Sequence, residues 1–379
     1  MSNSVKTIIF ISHESKLLGA PRVLLQIIRY FHATKKYNIL VISPEAGTFA
    51  DELKKEGIPF FIPDCLQKYY YHISQPGHRI VKLAQRIFDN WKLFFYFIRL
   101  FKQQQNSVIY ANTAVVRYIA LPAFLLKKKV VWHVHEYSNN PLTLRLHTFL
   151  IGNCSTKIVI NSPFLISKMK LPSRHQNKVE FFRYFSIIDY KDHSEIPTFV
   201  PDHDLLFAGK ISIEKGALDL LQAVNEFVAP KINLKVAFTG FFVDEKIIRD
   251  YVKAHQLEKH VMFYGFVPDI NEYILRSKVI VLPSYRDNLP IILLEAIMLE
   301  RPVICTDVGD IRSVVTHDKN GILFRPGDVE KLTEAITTVL DPERYNQFVK
   351  GAIERKAELL SGGSDYEKLD KIICELFER

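Results

Sequence analysis

Short apolar runs rich in β-branched residues alternate with longer helix-like patterns along the whole chain. Most of these runs are continuously apolar, which is typical of parallel strands covered by helices on both faces. A chain with this alternation is expected to fold into doubly wound α/β units. The predicted strands are TIIFIS, NILVIS, PFFIP, SVIYAN, KVVWHVH and KIVIN, followed by DLLFAG, LKVAFTG, VMFYGF, KVIVLPS, PVICTD and GILF.

The length of 379 residues suits two domains better than one. The segment Glu195–Asp204 carries two prolines and interrupts the alternation, so we predict a linker there. The predicted domains are residues 1–195 and 196–360, followed by a helical segment, 361–379, that returns to the first domain. The predicted fold class is α/β, with two Rossmann-like doubly wound domains facing a central cleft.

Charge is distributed unevenly between the two halves. Residues 1–200 carry 27 Lys and Arg against 12 Asp and Glu, a formal charge of +15, whereas residues 201–379 carry 23 against 29, a charge of −6. The two halves are therefore expected to face different partners. A basic chain can bind nucleic acid, but no recognition motif appears and the excess is confined to one half, so none is predicted.

The cysteines are scattered without a CxxC pair, and we expect reduced thiols and a cytoplasmic location. The apolar stretch near the N-terminus is interpreted as a first buried strand rather than a signal peptide. No run of about 20 apolar residues occurs, so no membrane span is predicted.

Two basic residues follow the first strand of the second half, in LLFAGKISIEKG. A tight turn at Gly209 leads to Lys210, and Lys215 comes directly before a helix that begins near Gly216. Two cations and a helix N-terminus at the end of a parallel strand indicate a diphosphate site. The alternative is a pair of solvated surface lysines.

Two carboxylates follow at a spacing of eight residues. Asp287 lies on a predicted loop and Glu295 lies about two turns into the next helix. Both could contact one ligand across the helix N-terminus, and carboxylates accept hydrogen bonds from vicinal sugar hydroxyls. The alternative is that Asp287 caps the helix and Glu295 pairs with a nearby Arg.

Four segments between Leu205 and Asp328 resemble, in order and spacing, the retaining glycosyltransferases of family 4, which have the GT-B fold. They read G-K-I-S-x-E-K-G, P-S-x-x-D-N-L-P-x-x-L-L-E-A, R-P-V-I-x-T-D-V-G-D and N-G-I-L-F-x-P-G-D. The first half is similar more weakly, through Ser12–Ile27, Val108–Thr113 and Val130–Glu136.

The resemblance implies a role for individual residues. Lys215 looks like the lysine on the donor diphosphate, and Lys210 stands where the family usually has Arg. Glu295 is similar to the glutamate that holds the nucleotide ribose, and Asp287 replaces a glutamate near the donor sugar. His135 resembles the active-site histidine, with a buried, hydrogen-bonded histidine as the alternative. The implied catalytic residues are Lys215, Lys210, Asp287 and His135; the implied donor-binding residues are Gly19, Gly209, Lys210, Lys215, Asp287, Asn288, Leu289 and Glu295.

The function implied is retaining transfer of a hexosyl group from a nucleotide-diphosphate sugar to a glycan or lipid-linked acceptor, in cell-surface polysaccharide biosynthesis. No metal and no cofactor are expected, and the D-x-D sequence at Asp202–Asp204 is interpreted as polar linker. Two alternatives stay open, a non-catalytic nucleotide-sugar-binding protein and a sugar epimerase of the same fold.

A helix is predicted over His78–Lys102, where apolar and basic residues have different positions on the helical wheel. One interpretation is a helix packed on its own sheet. The other is a peripheral enzyme on the anionic inner face of the cell membrane. The predicted apolar face is Ile80, Leu83, Ala84, Ile87, Trp91, Phe94, Phe95 and Ile98, and the basic residues are Arg79, Lys82, Arg86 and Arg99.

Overall fold

The structure, a computed structural model, describes residues 6–17, 19–74, 79–183, 200–228, 233–267, 269–361 and 365–378. It divides into two compact units. The first comprises Met1–Ile187 with Ser364–Arg379, and the second comprises Ile188–Gly363. The predicted boundary between residues 195 and 196 lies outside the described residues, so its position stays a prediction.

The first unit is an alternating α/β structure. Its elements are β1 (Thr7–Ile11), α1 (Gly19–Thr34), β2 (Asn38–Ile42), α2 (Thr48–Lys55), β3 (Phe60–Phe61), α3 (Asp64–Ser74), α4 (Arg79–Gln103), β4 (Ser107–Asn112), a 3₁₀ helix (Ala114–Ile119), α5 (Ala120–Leu125), β5 (Lys129–Val134), α6 (Pro141–Cys154), β6 (Lys157–Ile160), α7 (Pro163–Met169), α8 (Ser173–Gln176) and β7 (Val179–Phe181).

The strands of the first unit form one parallel sheet in the order β3-β2-β1-β4-β5-β6-β7. The interior strand β1 is buried at every residue, as expected for a strand covered on both faces. The chain runs outward from β1 to β3 and then returns to β4 on the other side of β1. This reversal places the carboxyl ends of β1 and β4 side by side, which is where doubly wound sheets bind ligands.

The second unit repeats the architecture with fewer strands. Its elements are β8 (His203–Ala208), α9 (Ala217–Val228), β9 (Val236–Thr239), α10 (Glu245–Ala254), β10 (Val261–Gly265), α11 (Ile270–Leu275), β11 (Ser277–Leu282), α12 (Ile291–Met298), β12 (Val303–Thr306), a 3₁₀ helix (Ile311–Ser313), β13 (Gly321–Phe324), α13 (Val329–Leu340) and α14 (Pro342–Leu360).

These strands also form a parallel sheet, in the order β10-β9-β8-β11-β12-β13. Its core joins apolar residues of the strands to the inner faces of α9, α10 and α13. The strand order reverses between β8 and β11, so the loops that follow these two strands are neighbours. The prediction of two doubly wound α/β units is confirmed.

The last helix, α15 (Asp365–Glu378), belongs to the first unit, although it comes after the whole second unit in sequence. Tyr366 stacks on Tyr30 of α1 with ring centroids 4.7 Å apart. Tyr37 donates a hydrogen bond of 3.0 Å to Asp370 and stacks on Phe377. These contacts attach α15 to α1 and to the start of β2.

Two sequence-based predictions of local structure are wrong. The strand β7 was not predicted, because Val179–Phe181 is too short to show a period. The predicted linker also extends too far, since His203 is buried and begins β8. The part of the linker at residues 195–199 lies outside the described residues.

The buried face of α4 also differs from the prediction. Leu93, Phe97 and Phe101 are fully buried, whereas Trp91 and Phe95 are 56% and 62% exposed. The helix is apolar on more than one side, so its periodicity does not identify the buried side. The side chains of Arg79, Ile80, Lys82, Leu83, Ala84, Arg86 and Ile87 lie outside the described residues.

Within the described residues, no helix combines the length and the apolar character needed to cross a bilayer.

Two substitutions on α4 test which face is buried. Phe97 stacks on Tyr118 and contacts Phe101, so Phe97→Ala should lower the free energy of unfolding by about 3–5 kcal/mol. Phe95→Ala removes a mostly exposed ring from the same helix and should change the free energy of unfolding by about 0.5 kcal/mol or less. Urea denaturation measures both, and equal losses would contradict the assignment of the faces.

Candidate active site

The loop after β8 makes a compact turn that ends at the start of α9. Gly209 leaves the strand at φ 135°, a backbone conformation that favours glycine, and the exposed Lys210 follows. Lys215 N–H donates to the carbonyl of Ser212, and the amide of Gly216 donates to the carbonyl of Ile213. The loop therefore holds Lys215 immediately before the N-terminus of α9.

Gly216 brings this loop into direct backbone contact with the end of β11. It adopts φ 73°, and a Cβ at this position would lie 2.1 Å from the carbonyl oxygen of Pro283. No real Cβ tolerates such a distance, and the oxygen it would meet belongs to the backbone. Only glycine allows the two loops to approach this closely.

The loop after β11 is bonded to the loop after β8 at three points. The amide of Tyr285 donates a 3.0 Å hydrogen bond to the carbonyl of Glu214. The Lys215 ammonium donates to the Arg286 carbonyl at 3.2 Å and to Asp287 Oδ2 at 2.7 Å. The pair of Lys215 and Asp287 is partly exposed, with 28% and 20% of the side chains accessible. Residues separated by 72 positions in sequence thus form one ion pair.

Asp287 is not the cap of α12. Pro290 occupies the N-cap position and makes no side-chain hydrogen bond, whereas Asp287 pairs with Lys215. Every residue of α12 from Ile292 to Met298 is buried. Glu295 is one of them, and only 2% of it is exposed. A carboxylate in such a helix is unusual, because burial of a charge is costly without compensating contacts.

A third loop, after β12, supports the loop that carries Asp287. A Cβ at Gly309 would lie 2.4 Å from the carbonyl oxygen of Asp287 and 2.3 Å from that of Asn288. The amide of Asp310 donates a 2.8 Å hydrogen bond to the Asn288 carbonyl. The neighbouring Leu289 is buried. Loops from three adjacent strands therefore position Asp287.

The structure adds two residues that the sequence did not suggest. Tyr285 donates a 3.3 Å hydrogen bond to Asp219 in the first turn of α9. Asp219 is 6% exposed, and its second oxygen has no hydrogen-bond partner among the described residues. Burial raises the pKa of this carboxyl above its usual value, and the Tyr285 hydroxyl opposes the shift. The only sequence feature that could have pointed to Asp219 is its position one helical turn after Gly216.

A second group of polar residues lies in the first unit, around the carboxyl ends of β1, β4 and β5. His135 Nε2 lies 2.7 Å from Asn112 Oδ1, so the imidazole carries its proton on Nε2. The rings of His133 and His135 are 4.0 Å apart. The Tyr110 hydroxyl lies 2.7 Å from His133 Nδ1. The two histidines therefore lie on the same side of the sheet.

The histidines of this group are neutral at pH 7. Burial lowers the pKa of His133 to about 3 and that of His13, which follows β1, to about 4. Burial also places the pKa of His135 well below its usual value, and repulsion from His133 and His13 adds to the shift. With its Nε2 proton donated to Asn112, a neutral His135 keeps only Nδ1 as an acceptor and cannot act as a cation.

The acidic residues of the D-x-D sequence form ion pairs with a neighbouring strand and its preceding turn. Asp202 pairs with Arg276, which lowers the pKa of Asp202, and Asp204 pairs with Lys278 at 2.8 Å. In the part of the chain that the structure describes, no group of three or more His, Cys, Asp or Glu side chains could hold a metal ion.

The predicted site residues fall into both units. The second unit brings Gly209, Lys210 and Lys215 together with the loop of Asp287, Asn288 and Leu289. Glu295 follows in the adjoining helix α12. Gly19, the first residue of α1, and His135 belong to the first unit, at the carboxyl ends of β1 and β5. No observation here assigns a chemical role to these residues, so the roles stay predictions.

Comparison with known families finds a match to most of the second unit. Residues 190–355 match the family of glycosyl transferases group 1. This segment contains the loops of Lys215 and Asp287.

Two relatives illustrate the range of sequence similarity. A Bacillus subtilis protein named as a teichuronic acid biosynthesis glycosyltransferase, TuaC, is 31% identical over 134 residues, which cover 35% of this chain and 31% of that protein. An uncharacterized glycosyltransferase of Haemophilus influenzae is 22% identical over 81% of both chains. Further relatives match over 33% to 45% of their own length.

Solved structures match over nearly the whole chain. Anabaena HepE, crystallised in complex with UDP-glucose, superimposes with a TM-score of 0.77 at 19% identity, covering 98% of this chain and 99% of HepE. The chain therefore has the GT-B fold, and residues 190–355 within it are similar to the glycosyl transferases group 1 family. The predicted resemblance to GT-B glycosyltransferases is confirmed, while membership of family 4 stays a prediction.

The contact between Gly216 and Pro283 can be tested by adding one methyl group. Gly216→Ala meets the Pro283 carbonyl and should destabilise the second unit by about 2–4 kcal/mol, a sum of backbone strain and steric overlap. Gly265→Ala is the matched control, because Gly265 has a similar φ of 68° but open space around the added Cβ. It should cost only about 1 kcal/mol. Thermal unfolding measures both, and equal losses would show that the loops can separate cheaply.

Proposed function

We propose that this protein is a retaining, metal-independent glycosyltransferase that transfers a hexosyl group from a nucleotide-diphosphate sugar. The observation that carries the proposal is the arrangement of Lys210, Lys215 and Asp287 at the strand reversal of a group 1 domain. HepE shares the fold and was crystallised with UDP-glucose, which supports a nucleotide-sugar donor.

The chemistry requires cleavage of the bond between the anomeric carbon and the diphosphate. Negative charge develops on the leaving phosphate oxygen, so fixed cations and helix dipoles directed at it stabilise the transition state. Lys215 is held in place by the Arg286 carbonyl and by Asp287, and it precedes the N-terminus of α9. Lys210 adds a second cation with no partner among the described residues.

In this proposal the acceptor hydroxyl attacks on the face from which the diphosphate leaves. The departing phosphate oxygen takes the hydroxyl proton, so no protein nucleophile is required. Glu295 holds the nucleotide ribose, and Asp287 contacts the donor sugar while it orients Lys215. Gly19 and His135 keep the donor-binding and active-site roles that the resemblance implies, and a neutral His135 offers a hydrogen bond to the reacting sugar.

The acceptor we propose is a glycan or a lipid-linked sugar of cell-surface polysaccharide biosynthesis, used on the cytoplasmic face of the membrane. A relative named for teichuronic acid biosynthesis supports this acceptor class. Exposed Phe88, Trp91 and Phe95 of α4, followed by exposed Arg99 and Lys102, support peripheral attachment to an anionic membrane. The same aromatic side chains would be costly to leave in contact with water.

The roles of the two lysines predict a specific pattern of activity. Lys215→Ala should lower kcat for sugar transfer by about 10²-fold or more, because a fixed charge at the leaving group is lost. Lys210→Ala should also be severe, whereas Lys210→Arg keeps the charge and should be tolerated. The assay measures release of nucleoside diphosphate and glycosylated product, and full activity of Lys215→Ala would overturn the assignment.

The same assay separates the metal-independent mechanism from a metal-assisted one. Chelation with EDTA should leave the rate unchanged. A loss of activity that Mn²⁺ restores would contradict the proposal and would direct attention to Asp202 and Asp204.

The two carboxylates should differ in what they bind. Glu295→Gln should weaken binding of the bare nucleoside diphosphate as well as of the nucleotide sugar, since the ribose is common to both. Asp287→Asn should spare the bare nucleotide and weaken the nucleotide sugar. Isothermal titration calorimetry of both ligands with both variants measures this, and the reverse pattern would refute the division of roles.

A further inference from the structure

A groove of about 390 Å³ lies in the first unit, between α6, the end of α7 and α8. Its walls are mostly apolar and include Leu144, Phe149 and Met169. Two cations from the α7–α8 segment, Lys170 and Arg174, and one from α6, Arg145, also line it. None of these residues belongs to the site proposed for sugar transfer.

The three cations have no acidic partner within the described part of the chain. The side chains of Arg145 and Lys170 make no salt bridge or hydrogen bond there, and the Arg174 side chain donates only to His175 Nε2, at 3.2 Å. An imidazole nitrogen that accepts a hydrogen bond is neutral, so it does not compensate the guanidinium charge. The groove therefore concentrates about three positive charges beside apolar walls.

The groove is formed by segments that are fixed to each other. Thr148 of α6 donates a 2.9 Å hydrogen bond to the Met169 carbonyl at the end of α7. Lys178 donates to the carbonyls of Gly152 and Ser155 at the end of α6, at 2.8 and 2.9 Å. Gly152 packs on His175 so closely that an added Cβ would lie 2.7 Å from its ring. The groove needs no rearrangement of these contacts to accept a ligand.

An exposed apolar surface adjoins the groove. On α6, Leu142, Leu146 and Phe149 follow a spacing of four and three residues, and they are 74%, 46% and 61% exposed. The neighbouring helix α5 exposes Leu121, Phe124 and Leu125, each more than half accessible. Neighbouring helix faces that expose large apolar side chains next to unpaired cations are typical of surfaces that rest in a lipid headgroup region.

We propose that this groove binds the phosphate group of an anionic phospholipid, with the exposed face of α5 and α6 resting on the acyl-chain boundary. Arginine forks and a lysine ammonium suit a phosphate, and the apolar walls suit the adjoining glycerol and first methylenes. A soluble phosphate compound would leave the apolar face of α5 and α6 in water. The inference rests on the membrane attachment proposed above but not on sugar transfer.

Vesicle binding tests the proposal with the full chain. Phosphatidylcholine vesicles with and without phosphatidylglycerol are compared for the wild type and for a groove variant, Arg145→Gln with Lys170→Gln and Arg174→Gln. The wild type should bind only the anionic vesicles. The groove variant should bind them about a hundredfold more weakly, because each basic residue at an anionic surface increases the affinity by about five- to tenfold.

A matched variant controls for net charge. Lys246, Lys253 and Lys259 are exposed lysines of the second unit without acidic partners among the described residues, and replacing them with Gln removes the same three charges. This control should bind vesicles like the wild type. An equal loss in both variants would show that only net charge matters and would overturn the groove site.

A second pair of variants tests the apolar part without touching the cations. Leu142→Ser with Leu146→Ser should weaken vesicle binding at least tenfold, whereas Ile247→Ser with Ile353→Ser, which removes exposed side chains of the second unit, should not. Thermal unfolding, followed by circular dichroism, should be unchanged in all variants and shows that they are folded.

The remaining outcomes separate the ligand sources and the two proposals. Excess inorganic phosphate should release no more protein from vesicles than NaCl of equal ionic strength; specific release would mean that the groove binds free phosphate. If Trp91→Ser with Phe95→Ser abolishes vesicle binding while the groove variant binds normally, attachment through α4 stands and the groove site is wrong. If the wild type does not bind anionic vesicles, attachment through α4 and the groove site are both wrong. The proposal of sugar transfer is not affected by that result.

Discussion

The candidate donor site depends on one backbone contact, the approach of Gly216 to the carbonyl of Pro283. The strand order reverses at this point, so the loops after β8 and β11 are neighbours, but neighbouring loops do not have to touch. They touch because Gly216 has no side chain and accepts φ 73°. With the loops in contact, the Tyr285 amide reaches the Glu214 carbonyl and the Lys215 ammonium reaches Asp287. The third loop also makes a close backbone contact through a glycine, since Gly309 lies against the carbonyls of Asp287 and Asn288.

The ion pair between Lys215 and Asp287 limits what the site can do. A lysine bound to a carboxylate offers a diphosphate less net attraction than a free one, but its position is fixed before the ligand arrives. Preorganisation of this kind is what a charge that develops during reaction requires, since no reorganisation is then needed. Lys210 has no such partner among the described residues. The ion pair therefore fixes the position of the Lys215 ammonium, and Lys210 supplies a positive charge that no carboxylate compensates. Arg at position 210 would add a bidentate fork that Lys lacks.

Much of the fold could be predicted from the sequence, because buried parallel strands are continuously apolar runs and twelve of them were visible. The loops of Lys215 and Asp287 could be assigned to one site from motif order. Their ion pair could not, since it joins residues 72 positions apart. Strand β7 has three residues and leaves no period. Asp219 and Tyr285 have ordinary positions in a helix and a loop, and only their mutual contact and burial distinguish them.

The buried face of α4 shows a more general limit. A helical period identifies a buried side only when the opposite side is polar, and residues 91–98 of α4 are apolar or aromatic nearly all round, apart from Lys92. The core of the unit buries Leu93, Phe97 and Phe101, whereas Phe88, Trp91 and Phe95 stay exposed. The same surplus occurs on α5 and α6, whose buried sides are completed by small or polar residues such as Ala123 and Thr148. Exposed apolar side chains on three helices of the basic half exceed what folding of that unit requires. This surplus is the physical reason to expect a partner that is both apolar and anionic.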